Sequence, residues 1–337
     1  MKTKLRETKF KSGCGKAGQL FSRIACLGAV LLIWSSASAQ NLFVSGSDAK
    51  GGEIFKLTWD AKQGIFASGL GDPWDLAFDS AGNLFVVDIS PLERIGDALI
   101  YKVTRNGMRT IFASGLSYPS DLAVDKKGHV FVADYNHGII YEYKPTGTRT
   151  TFATGLHHPV GLVFDSLGNL FVADNNAGNL YQGSIYKYEP SGSRSTFALL
   201  ERADRPADLA FDMMGNLFMA DLGGNIYRYD MGALRRYRRT TFGSVLGSAQ
   251  SLAFDGAGNL FVVAAGENGL DKIIPNAIYK FPPQGGRSMF ISGQARAQTF
   301  SHVAFEPMGP VCCDQAYLPV PVPTPEPRPT PPRRSTS

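Results

Sequence analysis

At 337 residues, with 44% hydrophobic and 19% charged side chains, the chain is apolar enough to bury a core and too apolar for a disordered polymer. Its net charge of +5 misleads, because seven of the 34 basic and one of the 29 acidic residues lie within 1–39, leaving 27 bases against 28 acids. That balance excludes a globally basic nucleic-acid-binding surface, and the 37 glycines suit an all-β fold rich in tight turns.

Residues 1–39 read as an export signal. A basic stretch from Lys2 to Arg23 precedes the apolar run 24–34, and Ala37-Ser38-Ala39 supplies the small-x-small pattern a signal peptidase accepts, so cleavage is expected before Gln40. The apolar run is too short for a stable membrane span. Cleavage leaves Cys312 and Cys313, adjacent and expected as unpaired thiols, so no disulfide framework holds the fold. The expected location is outside the cytoplasm: secreted, periplasmic or in a bacterial cell envelope.

From Asn41 one pattern recurs six times. Asn41-Leu42-Phe43 is matched at Asn83, His129, Asn169, Asn216 and Asn259, at spacings of 42, 46, 40, 47 and 43 residues, which are propeller-blade lengths. Each copy holds a strand like Leu-Phe-Val-Ala-Asp, then one carrying Ile-Tyr, as at Ile140-Tyr141. A third has a Phe at 66, 112, 152, 197, 242 or 290, and a fourth reads Leu-Ala-Phe-Asp, as at Leu76–Asp79. Four short strands per copy without helical periodicity predict a four-stranded antiparallel blade, and six copies predict a six-bladed β-propeller. Seventeen of the 22 phenylalanines occupy three repeated positions, which gives each blade aromatic faces to stack.

The repeat is out of phase with the chain ends. The first Asn-Leu-Phe strand lacks a Leu-Ala-Phe strand before it, and a stray copy, Val303-Ala304-Phe305, stands at the far end. The C-terminal strand is therefore expected to complete the first blade. The propeller spans 40–309, and the Pro-rich residues 310–337 cannot build a core and are expected to form a disordered, extended tail.

Pro-x-Asp-Leu-Ala-Phe-Asp, Gly-Asn-Leu-Phe-Val-Ala-Asp and Ile-Tyr-Lys-Tyr resemble the NHL repeat over about residues 41–309. The resemblance implies a propeller whose ligand face opens on the central channel. It extends distantly to gluconolactonase/regucalcin-like and strictosidine-synthase-like six-bladed propellers, the former being hydrolases that use a divalent metal.

Antiparallel order gathers the ends of the Val-Ala-Asp strands and the starts of the Asp-Leu-Ala strands on one rim. Candidate ligand-binding residues there are Asp88, Asp134, Asp174 and Asp221 from the first strand, Asp121 and Asp208 from the inner strand, and Glu267 in a long insertion, with Trp74 as a stacking platform. Converging carboxylates can hold a divalent cation such as Ca²⁺ or Mg²⁺. The alternative is structural: an acid that recurs in every blade bonds turn amides of the next. Departures from the repeat are more telling. The inner-strand position reads Asp75, Asp121, Gly161, Asp208, Ser251 and His302, and His302 with Asp75 forms a candidate catalytic acid/base pair. Insertions at 89–99, 175–184 and 265–277 suit recognition. The basic run 235–239 falls on the opposite rim as a solvated loop or a contact for an anionic surface.

The leading expectation is a monomeric, non-catalytic scaffold that binds a protein or carbohydrate ligand at the channel mouth. The alternative is a metal-dependent hydrolase of the gluconolactonase/lactonase type. Against it, residues 41–47 lack the metal-binding Glu of the hydrolase pattern.

Overall fold

The structure, a computed structural model, describes residues 40–48, 51–89, 98–175, 183–231, 237–266, 276–292 and 299–307. These residues form twenty-four strands and no helix, arranged as six four-stranded antiparallel sheets. Blade 1 comprises β1 (Leu42–Asp48), β2 (Gly51–Leu57) and β3 (Gln63–Leu70), and β24 (Thr299–Phe305) completes it in the order β24-β1-β2-β3. Leu42 pairs with Phe305 and Phe43 with Ala304, so the C-terminal strand closes the ring as the repeat phase predicts. Blade 2 follows the same plan with β4 (Pro73–Phe78), β5 (Leu84–Asp88), β6 (Ala98–Val103) and β7 (Arg109–Leu116).

The Leu-Ala-Phe strand is the innermost of each blade. β24, β4, β8 (Pro119–Val124), β12 (Pro159–Phe164), β16 (Pro206–Phe211) and β20 (Ser248–Phe254) touch one another in sequence around the axis, the last returning to the first. Every β5-like strand is buried on both faces, since it lies between inner and outer strands and between two neighbouring blades.

The repeated phenylalanines meet in aromatic triads that cross blade boundaries. Phe171 touches Phe197 of its own blade at 5.2 Å and Phe211 of the next at 5.0 Å, both edge-to-face. The same geometry recurs at Phe43, Phe131, Phe218 and Phe261, whose inter-blade partners are Phe78, Phe164, Phe254 and Phe305. Edge-to-face pairs set the positive ring edge against the negative face, so each triad adds orientation to burial.

Tight turns join inner to second strands. In the Asp79–Asn83 turn the Gly82 amide donates to the Asp79 carbonyl, and Gly82 adopts φ +78°, a conformation that costs a residue with Cβ. The Asp79 carboxylate accepts the Asn83 amide and side chain, and the Asp-x-x-Gly-Asn signature repeats this cap around the ring.

Candidate functional site

The rim holding the starts of the inner strands opens into a cavity of about 400 Å³. Its wall is built from the variable residue x of each Pro-x-Asp entry and its counterparts: Trp74, Ser120, Val160, Ala207 and Gln250, with His302 beside them. Loop residues Tyr118, Tyr135, Asn136 and Asn175 complete it. Strand alternation explains the division of labour, since x points toward the mouth while the next residue turns into the inter-strand wall.

His302 and Trp74 are brought together as the repeat departures suggest. Their rings lie 5.6 Å apart at 50°. Ser45 fixes both: its hydroxyl accepts the His302 amide at 2.9 Å and donates to the Trp74 carbonyl at 2.9 Å. His302 is 5% exposed, and its Nδ1 has no hydrogen-bond partner among the described residues. A buried ring nitrogen without a partner is costly unless a ligand or water meets it. Opposite, Tyr135 stacks on His158 at 4.3 Å and meets Tyr118 at 5.6 Å, forming a second aromatic surface.

The carboxylates are placed elsewhere. Asp88 accepts the amides of Gly71 and Asp72, Asp174 those of His157 and His158, and Asp221 those of Arg205 and Gly223. Asp134 accepts the His137 amide and faces that ring's Nδ1 at 3.0 Å. For Asp88, Asp174 and Asp221, the turn being tied is the one entering their own blade. The inner acids instead link neighbouring blades. The Leu122 amide donates to Asp75, Leu162 to Asp121 and Leu252 to Asp208, and the Val303 amide donates to the Ser251 hydroxyl in the same manner. Gly161 breaks this belt because a Cβ there would lie 3.2 Å from the Asp208 Cα.

Burial dominates the electrostatics of the channel wall. It pushes the Asp121 carboxyl well above the usual carboxylate range, reinforced by the neighbouring charge and hydrogen bond of Asp75. Burial likewise raises Asp208, to about 6, although His302 beside it pulls the other way. Asp75 lies in this wall, its carboxylate accepting the Leu122 amide, while His302 also lines the mouth. A hard divalent cation needs several convergent oxygens. Among the described residues no three His, Cys, Asp or Glu side chains converge on one point. The rim aspartates, spent on backbone amides, therefore do not fit a Ca²⁺ or Mg²⁺ centre. Glu267 lies outside the described residues, as do 1–39, most of the three insertions, Cys312, Cys313 and the Pro-rich tail.

A family model for the NHL repeat matches residues 116–138, from the end of β7 through the first two strands of blade 3. The match covers one repeat, and all six sheets share the same strand plan. The chain is a six-bladed propeller with an NHL-repeat match in blade 3.

The propeller is similar in structure to a chain of the nidogen/laminin complex, with TM-score 0.64 and 18% identity over 80% of this chain and 99% of that one. It is also similar to a gluconolactonase from Xanthomonas campestris, with TM-score 0.57 and 16% identity over 72% and 80% of the two chains. A protein of unknown function from Bacteroides caccae matches with TM-score 0.56 and 17% identity over 80% and 99%. At such identities the likeness is one of fold. No curated protein matches the sequence.

Sequence reasoning found Trp74 and His302 but passed over Ser120, Gln250, Tyr118, Tyr135 and Asn136. For Ser120 and Gln250 a signal was present: x in Pro-x-Asp differs in almost every blade, more than the Pro or Asp beside it, which marks a surface that folding leaves free.

Proposed function

We propose that this propeller is an exported binding protein that takes a protein or carbohydrate ligand in its channel mouth. The observation that carries the reading is the cavity wall. Trp74, Tyr118 and Tyr135 offer flat aromatic faces, Asn136, Asn175 and Gln250 offer amide donors and acceptors, and His302 holds an unpartnered nitrogen. Aromatic faces with a few placed polar groups suit ligands that are part apolar and part hydrogen-bonding, such as sugars and peptide backbones. Residues 1–39 support export by their signal-like order. A nidogen/laminin chain and a gluconolactonase share the fold, so the fold accommodates both protein contact and catalysis and does not choose between them.

The test is a glycan and peptide array with the purified protein, followed by calorimetric titration of the strongest hit. Trp74→Ala and His302→Ala are each expected to weaken binding by about tenfold or more while leaving the melting temperature within a few degrees. Lactone hydrolysis dependent on a stoichiometric metal and lost in His302→Ala would replace this reading with the hydrolase. Binding unaffected by either variant would move the site away from the mouth.

A further inference from the structure

The opposite rim carries side chains that folding does not explain. In each Asp-x-x-Gly-Asn turn the Asp, Gly and Asn make the turn, and the two x residues point outward. They read Ser80-Ala81 in blade 2 and Gly256-Ala257 in blade 6, but Lys126-Lys127 in blade 3, Ser166-Leu167 in blade 4 and Met213-Met214 in blade 5. Leu167 is 79% exposed, Met213 70% and Met214 86%. The turns between second and third outer strands on this rim add Trp59, 74% exposed, and Met108, 61% exposed. Single exposed apolar residues are ordinary. Five on the turn tips of one rim, spread over four blades, form a pattern.

Bases outnumber acids among the exposed charges of this rim. Lys126, Lys127, Lys144, Arg105 and Arg238 are exposed at the same turns; Arg105 lies 3.9 Å from Glu306, Lys126 donates to the Ser166 carbonyl, and Lys62 pairs with Asp60 at 2.7 Å. Glu189 is the other exposed acid there. The ring as a whole is nearly neutral, so the excess is local. The chain also enters and leaves the ring on this side, where the Gln40 side-chain amide donates to the Glu306 carbonyl. The chain beyond Pro307 therefore departs from the rim that carries the apolar tips.

We propose that this rim docks on an anionic lipid bilayer, with Leu167, Met213, Met214 and Trp59 entering the interface and the lysines and arginines meeting lipid phosphates. Apolar and Trp side chains flanked by Lys and Arg are the combination an interface retains. The basic groups give the attraction an ionic-strength dependence that simple apolar contact lacks. This orientation turns the channel mouth toward solvent, so docking and mouth binding are independent and can fail separately.

The experiment is flotation of the chain from Gln40 onward, as left by the expected cleavage, with phosphatidylcholine vesicles, with and without phosphatidylglycerol, at low and high salt. The chain is expected to float with the anionic vesicles and to be released by salt. The triple variant Leu167→Ser/Met213→Ser/Met214→Ser is expected to partition about tenfold more weakly. Lys126→Glu/Lys127→Glu is expected to lose the preference for phosphatidylglycerol. These tips are solvent-exposed, so the triple variant should keep the wild-type melting temperature; the lysine variant also loses the Lys126 bond to the Ser166 carbonyl and should melt no more than a few degrees lower. Flotation unchanged in both variants overturns the proposal. So does indifference of the wild type to lipid charge. Self-association in sedimentation that the triple variant abolishes, without vesicle binding, would make the rim a protein interface instead.

Discussion

Asp208 shows what a recurring acid does in this ring. Its carboxyl accepts the Leu209 and Leu252 amides and so stitches blade 5 to blade 6, yet burial raises it from 3.8 to about 6. Between those values the folded protein holds a proton that the unfolded chain releases. The associated stability is fully present below about 3.8 and lost as pH rises through about 6. Thermal midpoints should therefore fall between about pH 4 and pH 6.5 for the wild type, and this part of the fall should be missing in Asp208→Asn. An unchanged slope in the variant would assign the dependence to other groups. Asp121 is displaced in the same direction, by burial first and then by Asp75. The sequence displayed these acids as a repeat. It could not tell a channel-mouth ligand from a channel-wall staple, because that depends on which neighbouring amide each oxygen meets.

At the scale of the strand, the aromatic triads carry the stacking of blade on blade. Phe171 is fully buried between Phe197 and Phe211, so Phe171→Ala should destabilise by about 3–5 kcal/mol, measured by denaturant unfolding. A second device escaped the sequence reading although its signature is plain. Arg-x-x-Phe recurs at Arg109, Arg149, Arg194, Arg239 and Arg287, where blade 1 has Gln63. Each arginine lies over the tyrosine of the adjacent strand, at 3.8–5.0 Å. Several also reach the preceding blade: Arg109 donates to the Gly69 carbonyl and Arg287 to that of Ser244. These groups are solvent-facing, so Arg287→Ala should cost only about 0.5–1 kcal/mol in the same assay. The Phe positions stood out because burial makes an apolar repeat conspicuous. The arginines did not, because a charged residue on an outer strand looks like ordinary solvent-facing polarity until its ring and carbonyl partners are seen.

For the molecule as a whole, closure decides stability. β24 pairs with β1 and packs between blades 6 and 2, with Phe305 at 5.1 Å from Phe261. Deleting residues 299–307 should leave β1 as an open inner edge and split or lower the calorimetric unfolding transition, and an unchanged single transition would count against this closure. The sequence by itself determined the blade count, the strand composition of each blade and the identity of the closing strand. Those follow from local pattern, and an apolar face repeated six times has one economical way to be covered. Only the tertiary structure decided which side chains share the mouth. Trp74, Tyr135, Gln250 and His302 are far apart along the chain and meet because the ring's curvature brings one residue from each blade to the axis. The rim aspartates Asp88 and Asp174 are spent on amides at the entry to their own blades, a choice that no one-dimensional periodicity records.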